Sequence, residues 1–222
     1  MWKLDAKVVE RYPGFCAGYG NISGLTVEST VEGLVERKQQ IFSELKMKYG
    51  EVEIAQVPEI KLYRKFFVEM GADPSAFRPA PEYLLRRALE DRFPSINNVV
   101  DSCLLASARH SVVAGVYDLE KVAGTAVTSL AETSEELQLI DGRKVSTKIG
   151  EVILRDDKKI LAAFTSGDSK ISMVTPKTSN VLVVVWNAPG IERKKVEDAL
   201  QEIALYLRKY CGGHVEGTAV LP

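Results

Sequence analysis

The chain has two histidines, His110 and His214, and neither stands at ligand spacing from a cysteine or from the other. No metal site is therefore expected. A Ser-His-Asp arrangement would need His110 as its base, yet no GxSxG is present, and a histidine in the last turn of a predicted helix is accounted for as a partner of the helix dipole. Gly18-Tyr19-Gly20 is a fragment of a glycine-rich loop; without a complete GxGxxG or GxxxxGK[ST] it implies no phosphate cradle and no cofactor. Two other groups could do chemistry. Tyr63-Arg64-Lys65 and Arg86-Arg87 fall on neighbouring predicted helices, where they could form a phosphate-contacting stripe or simply a solvated face. Thr165-Ser166-Gly167-Asp168-Ser169 sets small hydroxyl residues around a glycine, which lets a ligand approach the backbone, although a plain β-turn has the same composition.

Helices must position the first group and strands the second. Ser29 and Glu32 have the spacing of a capping box before a helix that Gly50 stops. Pro58 suits the first turn of a second helix ending near Gly71, and Pro79 and Pro81 introduce a third. Asn97 or Asn98 can cap a fourth from Val99 to about Arg109. Residues 7 to 27, broken by Pro13, Gly14, Gly18, Gly20 and Gly24, read as short strands rather than a helix. After Ser111 come short β-rich runs, with turns at Asp141-Gly142 and Asp156-Asp157. Val181-Leu182-Val183-Val184-Val185-Trp186 is too continuously apolar for a strand with one wet face and is placed centrally. A last amphipathic helix runs from about Ile191 to Tyr210, with an edge strand from Val215 to Leu221. This order is neither regular βαβ alternation nor a pure sandwich, and implies an α+β fold.

Composition limits the function classes. The 222 residues suit one domain, 1–222, with a sizeable core; 29 basic and 30 acidic residues give a formal charge of −1, so no global field draws the chain to DNA or to an anionic membrane. Neither is expected as a partner, and any RNA contact must be local. Cys16, Cys103 and Cys211 are widely spaced without a CxxC, which points to three buried thiols in a reducing compartment. An acid at Asp5 interrupts any secretory apolar run, and no stretch of about 18 uninterrupted apolar residues occurs. A cytoplasmic, complete chain is the expectation.

Tyr63-Arg64-Lys65-Phe66-Phe67, Met70-Gly71-Ala72-Asp73-Pro74, Arg78 to Arg87, Pro94 to Asp101 and Gly115-Val116-Tyr117-Asp118 resemble, in this order, the B3/B4 domain of the phenylalanyl-tRNA synthetase beta subunit, and more closely its free-standing relatives. The resemblance spans about Val8 to Val185. It implies a β-sandwich-like core of unusual topology with flanking helices, and an editing chemistry in which water attacks the ester of a mischarged tRNA. On that basis the substrate pocket would comprise Asn98, Asp101, Ser102, Cys103, Leu104, Gly115 and Tyr117, together with Thr165, Ser166, Gly167, Val184 and Val185. Arg64, Lys65, Arg86 and Arg87 would contact RNA.

The chain departs from the synthetase pattern where chemistry would lie. The Thr-Asn that follows the first acid there is Cys103-Leu104 here, and the His before the second acid is Gly115. The Gly-Gly pair corresponds to Ser166-Gly167, and the glutamate that recognises the tyrosine hydroxyl falls near Val184 or Val185. No catalytic residue carries over. A pocket without that carboxylate should take a smaller or less polar amino acid than tyrosine. Two readings follow: a free-standing deacylase acting in trans on aminoacylated tRNA, with Ser102, Thr165, Ser166 and Gly167 around one cleft, or a non-catalytic module binding tRNA or an amino acid. A structural or interaction protein is a third. The amino acid, the tRNA and the oligomeric state stay open.

Overall fold

A computed structural model describes residues 1–222. In chain order the elements are β1 (Trp2–Leu4), α1 (Ala6–Arg11), β2 (Ala17–Ser23), α2 (Glu32–Tyr49), α3 (Pro58–Glu69), α4 (Ala80–Leu89) and α5 (Asn98–His110). There follow β3 (Val113–Asp118), β4 (Ala126–Leu130), β5 (Glu136–Gln138), β6 (Lys144–Ser146), β7 (Val152–Arg155), β8 (Ile160–Ala163) and β9 (Gly167–Asp168). The chain closes with β10 (Val181–Trp186), α6 (Arg193–Cys211) and β11 (His214–Leu221).

The apolar run at 181–186 is explained by its position. β10 lies inside a four-stranded antiparallel sheet of order β11-β2-β10-β3, and both of its faces are covered. Val181, Val183 and Val185 face a core shared with α2, α4, α5 and α6. Leu182, Val184 and Trp186 face the opposite way, into a second core shared with α3 and with the five-stranded sheet β1-β4-β7-β8-β9. Strand periodicity thus sends alternate residues into different cores, and neither set can be polar. The small β5-β6 sheet contributes Leu137 to a third cluster on the far side of the five-stranded sheet. The layers are helices, sheet, sheet and hairpin: an α+β fold with a sandwich-like centre. Its topology departs from a plain meander, because β1 pairs parallel with β4 while the other strand pairs are antiparallel. No helix is long and apolar enough to cross a membrane.

Gly18 and Gly20 serve packing rather than phosphate binding. A Cβ on Gly18 would lie 3.0 Å from Val196 and 3.3 Å from Leu200, so the missing side chain lets α6 settle against β2.

Local chemistry sets most boundaries as the sequence implies. Pro58 opens α3, Asn97 accepts the Val100 N–H at the start of α5 (2.9 Å), and Gly212 ends α6 in the left-handed region at φ 72. Two expectations are corrected. Residues 6–11 form a helix, because Asp5 accepts the Lys7 N–H and nucleates a turn within a stretch whose later glycines suggest only strands. The Ser29 box does not form: α2 begins at Glu32 with Val31 in the cap position and no side-chain cap bond.

Candidate functional site

β3 is the edge of its sheet, and an antiparallel edge strand turns alternate backbone groups outward. Leu119 N–H donates to Asn180 O at 2.9 Å, which marks 119/180 as a bonded pair and, by alternation along the register, 117/182 and 115/184 as well. The N–H and C=O of Ala114 and Val116 therefore point to the free edge. Along that edge runs a cleft of about 190 Å³. Its α5 wall is Val100, Cys103 and Leu104 with Ile96 ahead of the helix; its strand wall is Ala114, Gly115 and Val116; opposite stand Ile140, Asp168, Met173 and Val174. The rim is apolar and open to solvent, since Ile96 is 57% and Ile140 52% exposed.

One charged group serves this cleft. Asp168, on the short strand β9, accepts a bond from the Tyr117 hydroxyl to Oδ1 at 2.7 Å, and its Oδ2 has no partner in the chain. No lysine or arginine pairs with it. Burial pushes the Asp168 carboxyl up to about 6, against the opposing effect of the Tyr117 bond. Tyr117 itself is raised well above the phenol range, first by burial and then by the adjacent Asp168 charge. The Cys103 thiol is likewise raised, by burial and then by Asp168, so it is no nucleophile at neutral pH. Gly115 makes the Tyr117–Asp168 contact possible: a Cβ there would stand 2.7 Å from Tyr117 Cζ and closer still to its Oη, so the phenol occupies the space of the absent side chain.

Of the pocket residues expected from sequence, Cys103, Leu104 and Gly115 line this cleft and Tyr117 reaches it through Asp168. The others do not converge on it. Asn98 is a buried staple, accepting the Glu28 N–H and donating to Thr26 O and Tyr210 O. Ser102 faces away from the cleft, donating to Asn98 O at 2.6 Å, and Asp101 holds the Ile96 N–H, the Ser95 hydroxyl and Lys38. Thr165 binds Glu151 through its N–H and its hydroxyl, and with Ser166 and Gly167 it lines a separate depression beside Phe77 and Tyr83. Val184 and Val185 are committed to the two cores. The expected single cleft of Ser102, Thr165, Ser166 and Gly167 is therefore corrected. Sequence reasoning passed over Asp168 as one more turn residue, and Ile96, Val100, Ile140, Met173 and Val174 as ordinary apolar positions. The signal available was only an acid in a hydroxyl-rich loop; that Lys170, two residues on, does not pair with it is seen only in the structure.

The basic residues divide as well. Glu82 is fully buried and takes Arg64 in a two-bond fork (2.7 and 2.8 Å) and Arg86 at 3.3 Å. Lys65 is exposed near Glu69, and Arg87 lies over the Tyr83 ring. Arg64 and Arg86 are held by that carboxylate, while Lys65 and Arg87 remain at the surface. No group of His, Cys, Asp or Glu side chains is arranged to hold a metal ion.

The chain is similar to known proteins in three comparisons. A family model described as B3/4 domain matches residues 62–212, more than half of the chain. The phenylalanine–tRNA ligase beta subunit of Fusobacterium nucleatum subsp. nucleatum is 26% identical over 106 residues, 48% of this chain but 13% of that subunit. An N-terminal fragment of the phenylalanyl-tRNA synthetase beta subunit from Pyrococcus horikoshii superposes with a TM-score of 0.53 at 14% identity, covering 100% of this chain and 54% of the fragment, which is a likeness of fold. The β3–α5 cleft and both basic groups lie within or at the margin of the matched segment, and the chain belongs to the B3/4 domain family.

Proposed function

We propose that the β3–α5 cleft binds the aminoacyl end of a charged tRNA and hydrolyses its ester, the chain acting in trans as a free-standing editing domain. The observation that carries this reading is an apolar cleft with a solvent-open rim and a single unpaired carboxylate, placed along a free strand edge in a domain related to a tRNA synthetase subunit. An aminoacyl ester is already activated by its neighbouring ammonium, so the chain needs mainly to hold it and admit water. Water adds to the ester carbonyl, the bond to the terminal ribose oxygen breaks, and that oxygen leaves as a hydroxyl. The outward N–H groups of Ala114 and Val116 are donors of the kind that stabilise charge on a carbonyl oxygen. The test is release of amino acid from a panel of misacylated tRNAs. Turnover of at least one of them above the buffer rate is expected, and a panel that decays only at the buffer rate would exclude the hydrolase.

One observation favours the binding module instead. The cleft holds no histidine, and its only thiol, Cys103, is kept protonated by burial. On that reading aminoacylated tRNA raises the melting temperature without being consumed.

A further inference from the structure

Asp168, half-buried at the wall of the cleft, differs from the fully buried acids of the chain. Glu82 is held by two arginines, Asp101 by Lys38, Asp118 by Lys121 and Asp156 by Lys159; Glu151 has no cation but accepts three bonds, from Thr165 N–H, Thr165 hydroxyl and Lys148 N–H. Asp168 has one donor, Tyr117, and faces an apolar cleft with Oδ2 free. Every fully buried acid is thus satisfied by cations or by several donors, whereas the free oxygen of Asp168 is left to the cleft, where a ligand cation would add a charge-assisted bond. The titratable groups beside it, Tyr117 and Cys103, both stay neutral, so nothing in the cleft competes for that cation.

We infer that Asp168 anchors the α-ammonium of the bound amino acid, and that the apolar walls Val100, Leu104, Met173 and Val174 select an apolar side chain. This rests on the reading of the cleft as an aminoacyl site. Size and chemistry agree with it. An apolar cavity of about 150 Å³ takes a ligand the size of benzene, so about 190 Å³ accommodates side chains from valine to phenylalanine. Apart from Asp168 and the Cys103 thiol, the lining side chains carry no strong hydrogen-bonding group, so with Asp168 on the ammonium no carboxylate is left to accept the hydroxyl of a bound tyrosine.

The experiment compares each apolar aminoacyl-tRNA with its N-acetylated form, which keeps the ester and the side chain but removes the positive charge. In parallel, leucine amide and N-acetyl-leucine amide are titrated into the intact chain and followed by melting temperature, so that the anchor is read without turnover. With each rate divided by that ester's own buffer rate, which removes the activation lent by the ammonium, the expected results are at least a tenfold further loss of kcat/KM on acetylation, stabilisation by leucine amide alone, and disappearance of both preferences in Asp168→Asn. That variant also melts higher than the wild type at pH 7.5, because its side chain is uncharged and still accepts the Tyr117 bond, which shows that it folds. Equal acceleration of free and acetylated esters over their buffer rates overturns the anchor and leaves the hydrolase standing. A fall in both rates by the same factor in Asp168→Asn makes the carboxylate a base acting on water and also overturns it. Preference for leucine amide without any turnover keeps the anchor and removes the hydrolase. No response to either amide and no turnover removes both.

Discussion

Gly115 shows how a residue that looks like a loss becomes a structural choice. In sequence it stands where the synthetase pattern has a histidine, and only the missing handle is visible. In the fold its φ is ordinary, so glycine is needed for space: the Tyr117 ring lies over it and delivers its hydroxyl to Asp168. Spacing along one strand face brings 115 and 117 to the same side, but it cannot tell that the larger residue folds back over the smaller. Asp168 was hidden for a related reason, since its isolation from cations is a fact of three dimensions. The expected consequence is steric. Gly115→Ala should cost about 1–3 kcal/mol by overfilling a packed site, and much less in a Tyr117→Val background where the ring is absent. Chemical denaturation of the two singles and the double gives the coupling; additive losses would mean that Tyr117 is not what fills the space.

At the scale of elements, helix starts and stops were legible because they are written in single residues: a proline at the start of α3, an asparagine before α5, a glycine after α6. The function of the basic pairs was not, because the decisive partner of Arg64 lies 18 residues away on α4. Burial pushes the Glu82 carboxyl up, but the bonds and charges of Arg64 and Arg86 outweigh it and hold it below the usual carboxylate range. A charge so placed joins α3 to α4. Removing it leaves two guanidinium groups facing each other, so Glu82→Gln should destabilise by about 2–3 kcal/mol, less than the ~3–5 typical of a fully buried pair because both arginines reach solvent. Arg64→Ala and Arg86→Ala should lower the melting temperature in the same direction. Lys65→Ala and Arg87→Ala should leave it in place and, on the proposed function, weaken tRNA binding and flatten its salt dependence. Filter binding at several salt concentrations, beside the melts, separates the pairs; equal effects of all four on RNA affinity would restore the continuous basic stripe.

Across the whole molecule, the helical layer is tied together at one acid. Glu202 on α6 meets Arg109 and His110 of α5 at 2.7 and 2.6 Å, Arg37 of α2 at 3.3 Å, and the hydroxyl of Tyr206. Burial raises its pKa, but the bonds from His110, Tyr206 and Arg109 together with the Arg109 charge prevail, and the carboxyl is held down to about 2. A depressed acid stabilises the fold when ionised: the contribution is complete above the unfolded-state value near 4.5 and is lost as pH falls toward 2. Asp168 works in the opposite sense, its raised pKa withdrawing stability as pH rises from about 4 to about 6. The two slopes give a stability maximum with separable limbs. Glu202→Gln should cost on the order of 2 kcal/mol at pH 7, where the native anion is fully paired, and the gap to the wild type should close as pH falls below about 4. Urea unfolding from pH 3 to 8 measures it. A gap of constant size would show that Glu202 contributes through shape and neutral hydrogen bonds alone, and that the acid limb belongs to Glu82 and Asp156, the other buried acids held low by their partners.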